Sequence, residues 1–331
     1  MSPFTDMAIE TRGLSRTFGR THAVRDLGLS VPRGALFGLI GPNGAGKTTT
    51  LRMLAGLLRP SAGQIDLLGE PISVRSGQYG VHRKVGYMPD FFGVYEDMLA
   101  WEYLDFFGRC HGLSAERRAK VVRDLLGLVD LGSKRDEQVD HLSRGMKQRL
   151  CLAQSLVHDP EILLLDEPAS GLDPRARLEM RALLRELSAM GKTIVISSHI
   201  LSELSEMCDG VAIMEHGELL EHGTVEDLNR RRRPRAMWRL TVASDPAAAV
   251  VLLEAAGVEV VSPSEEGAAW GDDGVVDEVA SLMLAFEGDA RARAAVVTQL
   301  VQAGVAVADL RPVEGDLEDL FMEITRGEQE A

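Results

Sequence analysis

Leu36-Phe37-Gly38-Leu39-Ile40 runs directly into Gly41-Pro42-Asn43-Gly44-Ala45-Gly46-Lys47-Thr48-Thr49, and helical spacing follows from Thr48 to Leu58. Five apolar residues in a row read as a short buried strand, so the order is strand, glycine loop, helix. Residues 41 to 48 fit G-x-x-x-x-G-K-[ST] in the context that this pattern requires. Glycines let the backbone wrap closely around an anion and aim successive N–H groups at phosphate oxygens, while the helix behind points its positive end at the same charge. Gly41, Pro42, Asn43, Gly44, Ala45, Gly46, Lys47, Thr48 and Thr49 are therefore the candidate nucleotide-binding residues of a P-loop protein whose family the motif alone does not specify, with Lys47 bridging β and γ phosphates and the Thr48 hydroxyl ligating Mg²⁺. A chance glycine-rich turn does not explain the flanking strand and helix.

A second buried strand delivers acids. Ile162-Leu163-Leu164-Leu165 ends in Asp166-Glu167. Adjacent carboxylates straight after an apolar strand suit a Mg²⁺ partner, Asp166, and a carboxylate that polarises the attacking water, Glu167. Strand character returns at Thr193 to Ser197 after a helix from Arg175 to Met190, which is a parallel βαβ arrangement. Between the two motifs, from Phe91 to Val139, the pattern is helical, with Trp101, Tyr103, Phe106 and Phe107 and an amphipathic stretch from Ala115 to Val129. Earlier, strands are expected at Ala8 to Thr11 and Ala23 to Val31.

Upstream of the acidic strand stands Leu142-Ser143-Arg144-Gly145-Met146-Lys147-Gln148-Arg149. Here the chain resembles the ABC ATPases, whose signature is usually written LSGGQ; Arg144 and Met146 depart from it. The resemblance implies that Ser143 and Gly145 bind the γ-phosphate of ATP held by an opposite subunit. Ser170-Gly171-Leu172-Asp173 looks like the family's D-loop, in which Asp173 helps couple two subunits, and His199 looks like the switch histidine that contacts the γ-phosphate. Phe18 matches the aromatic residue that stacks on adenine, where Tyr is commoner; the competing reading is a core phenylalanine. After Tyr87-Met88-Pro89 the family normally has Gln, and this chain has Asp90. A unit-charge pair at ~4 Å with an effective dielectric of ~20 is worth about 4 kcal/mol. Attraction of Asp90 to Mg²⁺ and its repulsion from phosphate are of that same size, so metal ligand and plain loop carboxylate both stay open.

The resemblance covers about residues 7 to 228. It implies an α/β P-loop NTPase of the ABC-ATPase type spanning residues 1–230, with a helical subdomain at about 91–150. Implied too are ATP and Mg²⁺ as cofactors, a homodimer sandwiching two ATP molecules, and a separate transmembrane permease docked on the helical segment. Asp316 to Thr325 looks like the ending of ATP-binding subunits of ABC-2 type exporters, a short match that also reads as a generic amphipathic helix.

After the basic run Asn229 to Arg235 a small α+β domain is expected over 231–331. Met237 to Ala243, Pro246 to Ala256 and Val258 to Ser262 read as strand, helix, strand, and Val279 to Phe286, Ala290 to Ala303 and Val305 to Leu310 repeat the order. Leu317, Leu320, Phe321 and Ile324 then fall at helical spacing.

Composition narrows the function. The 331-residue chain is 45% hydrophobic with a formal net charge of −14, which argues against a broad nucleic-acid surface. No stretch approaches the roughly 20 apolar residues of a membrane span. The first ten residues lack the pattern of a secretory signal, and Cys110, Cys151 and Cys208 fit neither a disulfide framework nor a zinc site. The expected location is cytoplasmic, peripheral on the inner face of the membrane through the permease. Two rivals are weighed: a soluble ABC ATPase working on ribosomes or nucleic acid, which usually carries two cassettes where this chain has one, and a regulatory ATP binder. Intact Lys47, Asp166, Glu167 and His199 speak against the latter.

Overall fold

The computed structural model describes residues 6–72, 81–90, 97–200, 204, 207–224, 227–228, 237–243, 246–264, 280–285 and 290–312. Phe91 to Glu96, the basic run Asn229 to Arg235 and the tail Asp316 to Thr325 lie outside them. The described residues fall into two compact units, the first up to Thr224 and the second from Asp227.

In the first unit, β1 (Met7–Phe18), β2 (Thr21–Leu27), β3 (Ser30–Pro32), β4 (Leu36–Ile40) and α1 (Lys47–Leu54) are followed by β5 (Ala62–Leu67), β6 (Glu70–Pro71), α2 (Val81–Lys84) and β7 (Val85–Met88). Then come α3 (Ala100–Cys110), α4 (Ala115–Leu128), α5 (Arg144–Leu156), β8 (Ile162–Leu165), α6 (Pro174–Ala189), β9 (Thr193–Ser198), β10 (Gly210–Glu215) and β11 (Glu218–Gly223). The run expected as one strand from Ala23 to Val31 is two, with Gly28 and Leu29 between the end of β2 at Leu27 and the start of β3 at Ser30. The helix expected to reach Leu58 stops at Leu54, with Gly56 at φ 70° ending it.

Two sheets organise this unit. β1, β2, β3, β5 and β6 form an antiparallel sheet; the other is ordered β11-β10-β4-β9-β8-β7, parallel except for the β10–β11 hairpin. Strands β4, β8 and β9 are buried along their whole length, as parallel strands covered on both faces must be. Leu51, Met53 and Leu54 of α1 join one core with Ile9, Leu14 and Val24 of the antiparallel sheet and Leu39, Leu164 and Val195 of the parallel one. That packing fixes where α1 begins, and hence where the glycine loop sits.

The helical segment is held by polar links as well as by apolar packing. Asp105 on α3 accepts from Arg109 and from Arg118 of α4, each at 2.7 Å. Burial raises the Asp105 pKa, but the bonds from Arg118 and Arg109 outweigh it and hold the carboxyl below its usual value. The His111 and His158 rings stack at 4.0 Å, bringing the end of α3 against the turn after α5.

The second unit contains β12 (Met237–Val242), α7 (Pro246–Ala255), β13 (Glu259–Ser264), β14 (Ala280–Ala285), α8 (Ala290–Gln302) and β15 (Val307–Pro312). The sheet order is β13-β14-β12-β15 with every neighbouring pair antiparallel. The strand–helix–strand repeat is thus interleaved: β14 of the second copy lies between β12 and β13 of the first, which is the split βαβ arrangement. Leu240, Leu282 and Leu284 from the sheet, Ala249 and Leu253 from α7 and Leu300 from α8 make its core. Among the described residues no helix is long and apolar enough to cross a membrane.

Candidate active site

The carboxyl ends of β4, β8 and β9 lie side by side, and the register dictates what meets there. Ile40 pairs with Ser198, and Leu165 pairs with Ile196. One step beyond Leu165, Asp166 therefore stands beside Ser197, while the chain leaving β4 enters the glycine loop. Open α/β sheets bind their ligands at such strand ends.

The loop is shaped by close backbone approach. A Cβ on Gly46, at φ 101°, would meet the Ala23 carbonyl at 2.5 Å, and one on Gly41 would collide with the Met214 carbonyl. Helices α4, α5 and α6 start with a side-chain cap from Ser114, Ser143 and Asp173. Helix α1 has Gly46 at its N-cap and no side-chain cap, an arrangement that leaves its first N–H groups suited to an anion. Lys47 is 6% exposed; its Nζ donates to the Gly41 carbonyl at 2.7 Å and the Pro42 carbonyl at 3.2 Å and lies 3.6 Å from Glu167 Oε1.

Asp166 is 1% exposed. Its Oδ1 accepts from Thr48 Oγ1 at 3.1 Å and from Ser197 Oγ at 2.7 Å. Its Oδ2 is buried and has no hydrogen-bond partner. A buried carboxylate oxygen left bare is costly, and a divalent cation next to the Thr48 hydroxyl would satisfy it. Glu167 has φ 51°, a left-handed conformation that costs about 1–3 kcal/mol for a residue with a side chain. Its N–H donates to Ser197 Oγ at 3.0 Å, and its Oε2 lies 2.8 Å from His199 Nδ1.

Lys47, Thr48, Glu167 and His199 open on a cavity of about 490 Å³, lined also by Phe18, Ala23, the rest of residues 43–49, Asp90 and Ser170. Phe18 is 46% exposed with the Arg16 guanidinium 4.4 Å above its ring, so it is a surface aromatic at the cavity rim rather than a core residue. The exposed Asp90 reaches the same cavity. Ser143, Gly145 and Asp173 are not among its lining residues. Ser143 Oγ accepts from the Met146 N–H at 3.3 Å, and Asp173 Oδ1 accepts from the Ala176 N–H at 2.9 Å, both as helix caps. Arg144, where the family signature has glycine, donates to the Ser170 carbonyl at 3.0 Å and lies against Gly171.

Ser197 and Ala23 carry no motif in the sequence, whereas Ser170 stands in the D-loop-like run Ser170 to Asp173. Ser197 left one signal, a hydroxyl at the carboxyl end of the otherwise apolar run Ile194-Val195-Ile196.

Comparison with known proteins agrees with this geometry. Residues 24–170 match the family model for ABC transporters. The Nod factor export ATP-binding protein I of Burkholderia lata is 44% identical over 215 residues, covering 65% of this chain and 70% of that one. The protein of the same name from a Rhizobium species is 42% identical over 218 residues, with coverage of 66% and 71%. Among solved structures, an ATP-binding subunit of an ABC transporter superposes with TM-score 0.61 at 30% identity, over 68% of this chain and 93% of that one. The cbiO1 protein of Clostridium perfringens, part of an ABC transporter complex, gives TM-score 0.61 at 28% identity over 68% and 96%. With the glycine loop, Glu167 and His199 around one cavity, the chain belongs to the ABC transporter family, as an ATP-binding and ATP-hydrolysing subunit that energises transport.

Proposed function

We propose that this subunit drives export through a separate membrane permease, acting as a homodimer whose two ATP molecules lie between the phosphate loop of one copy and the Ser143 helix of the other. The direction of transport is supported by relatives at 42–44% identity that are named as export ATP-binding proteins. Ser143 and Gly145 start a helix outside the cavity of their own subunit, which suits a role toward a second copy. The observation that carries the chemical reading is the meeting of Lys47, Thr48, Asp166, Glu167 and His199 at three adjacent strand ends.

Each side chain then has a task. Lys47 turns its ammonium from the loop carbonyls to the phosphates, making charge-assisted hydrogen bonds. Glu167 takes the proton of the attacking water, and His199 holds the Glu167 carboxylate through Oε2. Phe18 offers a face to the adenine ring. Thr48 and Asp166, with Asp90 as a further candidate, would hold Mg²⁺, an ion characteristically bound by one or two carboxylates together with phosphate oxygens. When bound it neutralises phosphate charge.

Glu167→Gln tests this reading. The amide keeps the shape and loses the basic carboxylate, so turnover should fall about 10²- to 10⁴-fold while ATP binding survives. The variant should accumulate as an ATP-bound dimer by light scattering. Near-normal phosphate release would remove Glu167 from the role of base, and a monomer at saturating ATP would remove the sandwich.

A further inference from the structure

We infer that Ser197 is a positioning residue for ATP hydrolysis: one hydroxyl, buried at the end of β9, sets both Asp166 and Glu167. The inference rests on the reading of Glu167 as the base.

Ser197 is fully buried, with 0% exposure. A hydroxyl has one proton to give and lone pairs to receive, and here both are committed. Its proton goes to Asp166 Oδ1 at 2.7 Å, and its oxygen accepts the Glu167 N–H at 3.0 Å. The two consecutive acids of the site are thus tied to a single atom on the neighbouring strand.

Both bonds constrain something that matters. Glu167 sits at φ 51°, a conformation that its own side chain disfavours and that surrounding contacts must hold. The bond from its N–H to Ser197 is such a contact, while His199, two residues further along the same chain, grips the carboxylate at Oε2. The base is therefore fixed at its backbone and at its tip by one strand end. On Asp166, Thr48 and Ser197 both donate to Oδ1, which fixes the rotation of the carboxylate and leaves the buried Oδ2 as the open acceptor. Ser198, next in the chain, spends its hydroxyl on the Ile200 N–H at 3.0 Å and does neither task. A displacement of the base on the order of 1 Å is enough for about a 100-fold loss of rate.

The test uses the full chain with saturating Mg²⁺. Ser197→Ala should lower kcat by about 10- to 100-fold while KM for ATP stays within about threefold, because the phosphate loop is untouched. Ser197→Thr keeps the hydroxyl and should recover most of kcat. Combined with Glu167→Gln, Ser197→Ala should reduce the residual rate by less than it reduces the wild-type rate, since its action through the base is gone and only its hold on Asp166 remains. If the alanine variant does not accumulate as folded protein, Ser197→Cys, close in size with a weak donor, takes its place in each measurement. A folded variant with kcat within twofold of wild type, or a full further loss on top of Glu167→Gln, would overturn the proposal. Near-normal turnover by Glu167→Gln alone would overturn the base assignment and this inference together, whereas an inactive Glu167→Gln beside a fully active Ser197→Ala overturns this inference only.

Discussion

In the first unit, Lys47, Asp166 and Ser197 are buried where three neighbouring strands end; in the second, the core cluster is wholly apolar, and Ser281 is the polar side chain buried among the described residues. Leaving a buried polar group unsatisfied costs about 1–3 kcal/mol. The first unit tolerates Asp166 Oδ2 in that condition, and Glu167 in a left-handed backbone, where chemistry gives both a purpose. Among its described residues the second unit has no left-handed non-glycine residue, and buried nitrogens without a hydrogen-bond partner occur there on Arg239 and Arg293, outside the core cluster. The difference separates a unit organised around reactions from one organised around packing, and each side of it can be broken by substitution.

The largest effect is expected at Lys47, the buried cation of the first unit. Charge-assisted bonds are worth about 1.5–3 kcal/mol each, and Lys47→Ala removes those to two phosphates. ATP affinity should fall by about 100-fold or more in calorimetry with Mg²⁺. Wild-type affinity in this variant would refute the phosphate-loop assignment.

A substitution of opposite character comes next. Leu240 is 0% exposed in the core of the second unit, and Leu240→Ala should cost about 2–5 kcal/mol there through lost burial and the cavity left behind. ATP affinity should remain at the wild-type value. Hydrogen exchange should speed up in β12, β14 and β15 and leave β4, β8 and β9 protected. Equal loss of protection in both sets of strands would mean that the two units share one unfolding transition.

Legibility in the sequence follows the same division. Phosphate binding demands glycines and a lysine at fixed offsets, so residues 41–48 announced both fold and site, and the apolar run Ile162 to Leu165 announced the acids after it. Element order in the second unit was readable from periodicity, yet strand pairing was not: nothing in the run from Ala280 to Ala285 says that it slots between β12 and β13. Ser197 was missed for a related reason. One serine in a strand carries no spacing signal, and its importance appears only when the register sets it beside Asp166. The placement of Arg144 against the Ser170 carbonyl likewise needed the fold, since the two are 26 residues apart.

The smallest effect concerns a half-buried titratable group of the first unit away from the cavity. His158 follows α5, its ring lies flat against His111, and its Nε2 lies 3.1 Å from the Val85 carbonyl of β7. Burial, and then the neighbouring His111, push His158 down to about 4; the Val85 carbonyl and Asp159 work in the raising direction, and Lys192 in the lowering one. A histidine depressed from an ordinary value of about 6.5 is neutral in the folded chain while the unfolded chain takes up a proton. Its contribution to stability is therefore complete above pH ~6.5 and is lost as the pH falls toward 4. Because the ring is partly open to solvent, the loss between pH 7 and pH 5 is about 1 kcal/mol once screening is allowed for. Urea unfolding of the wild type and of His158→Gln at both pH values should show a steeper acid loss in the wild type, in the transition reported by the first unit. The amide can still donate to the Val85 carbonyl, so the pH 7 values should lie closer together than those at pH 5. Parallel pH dependence in the two proteins would show that His158 is protonated alike in the folded and unfolded chain. An acid loss that instead followed the second unit would put the pH-sensitive burial on the wrong side of the comparison.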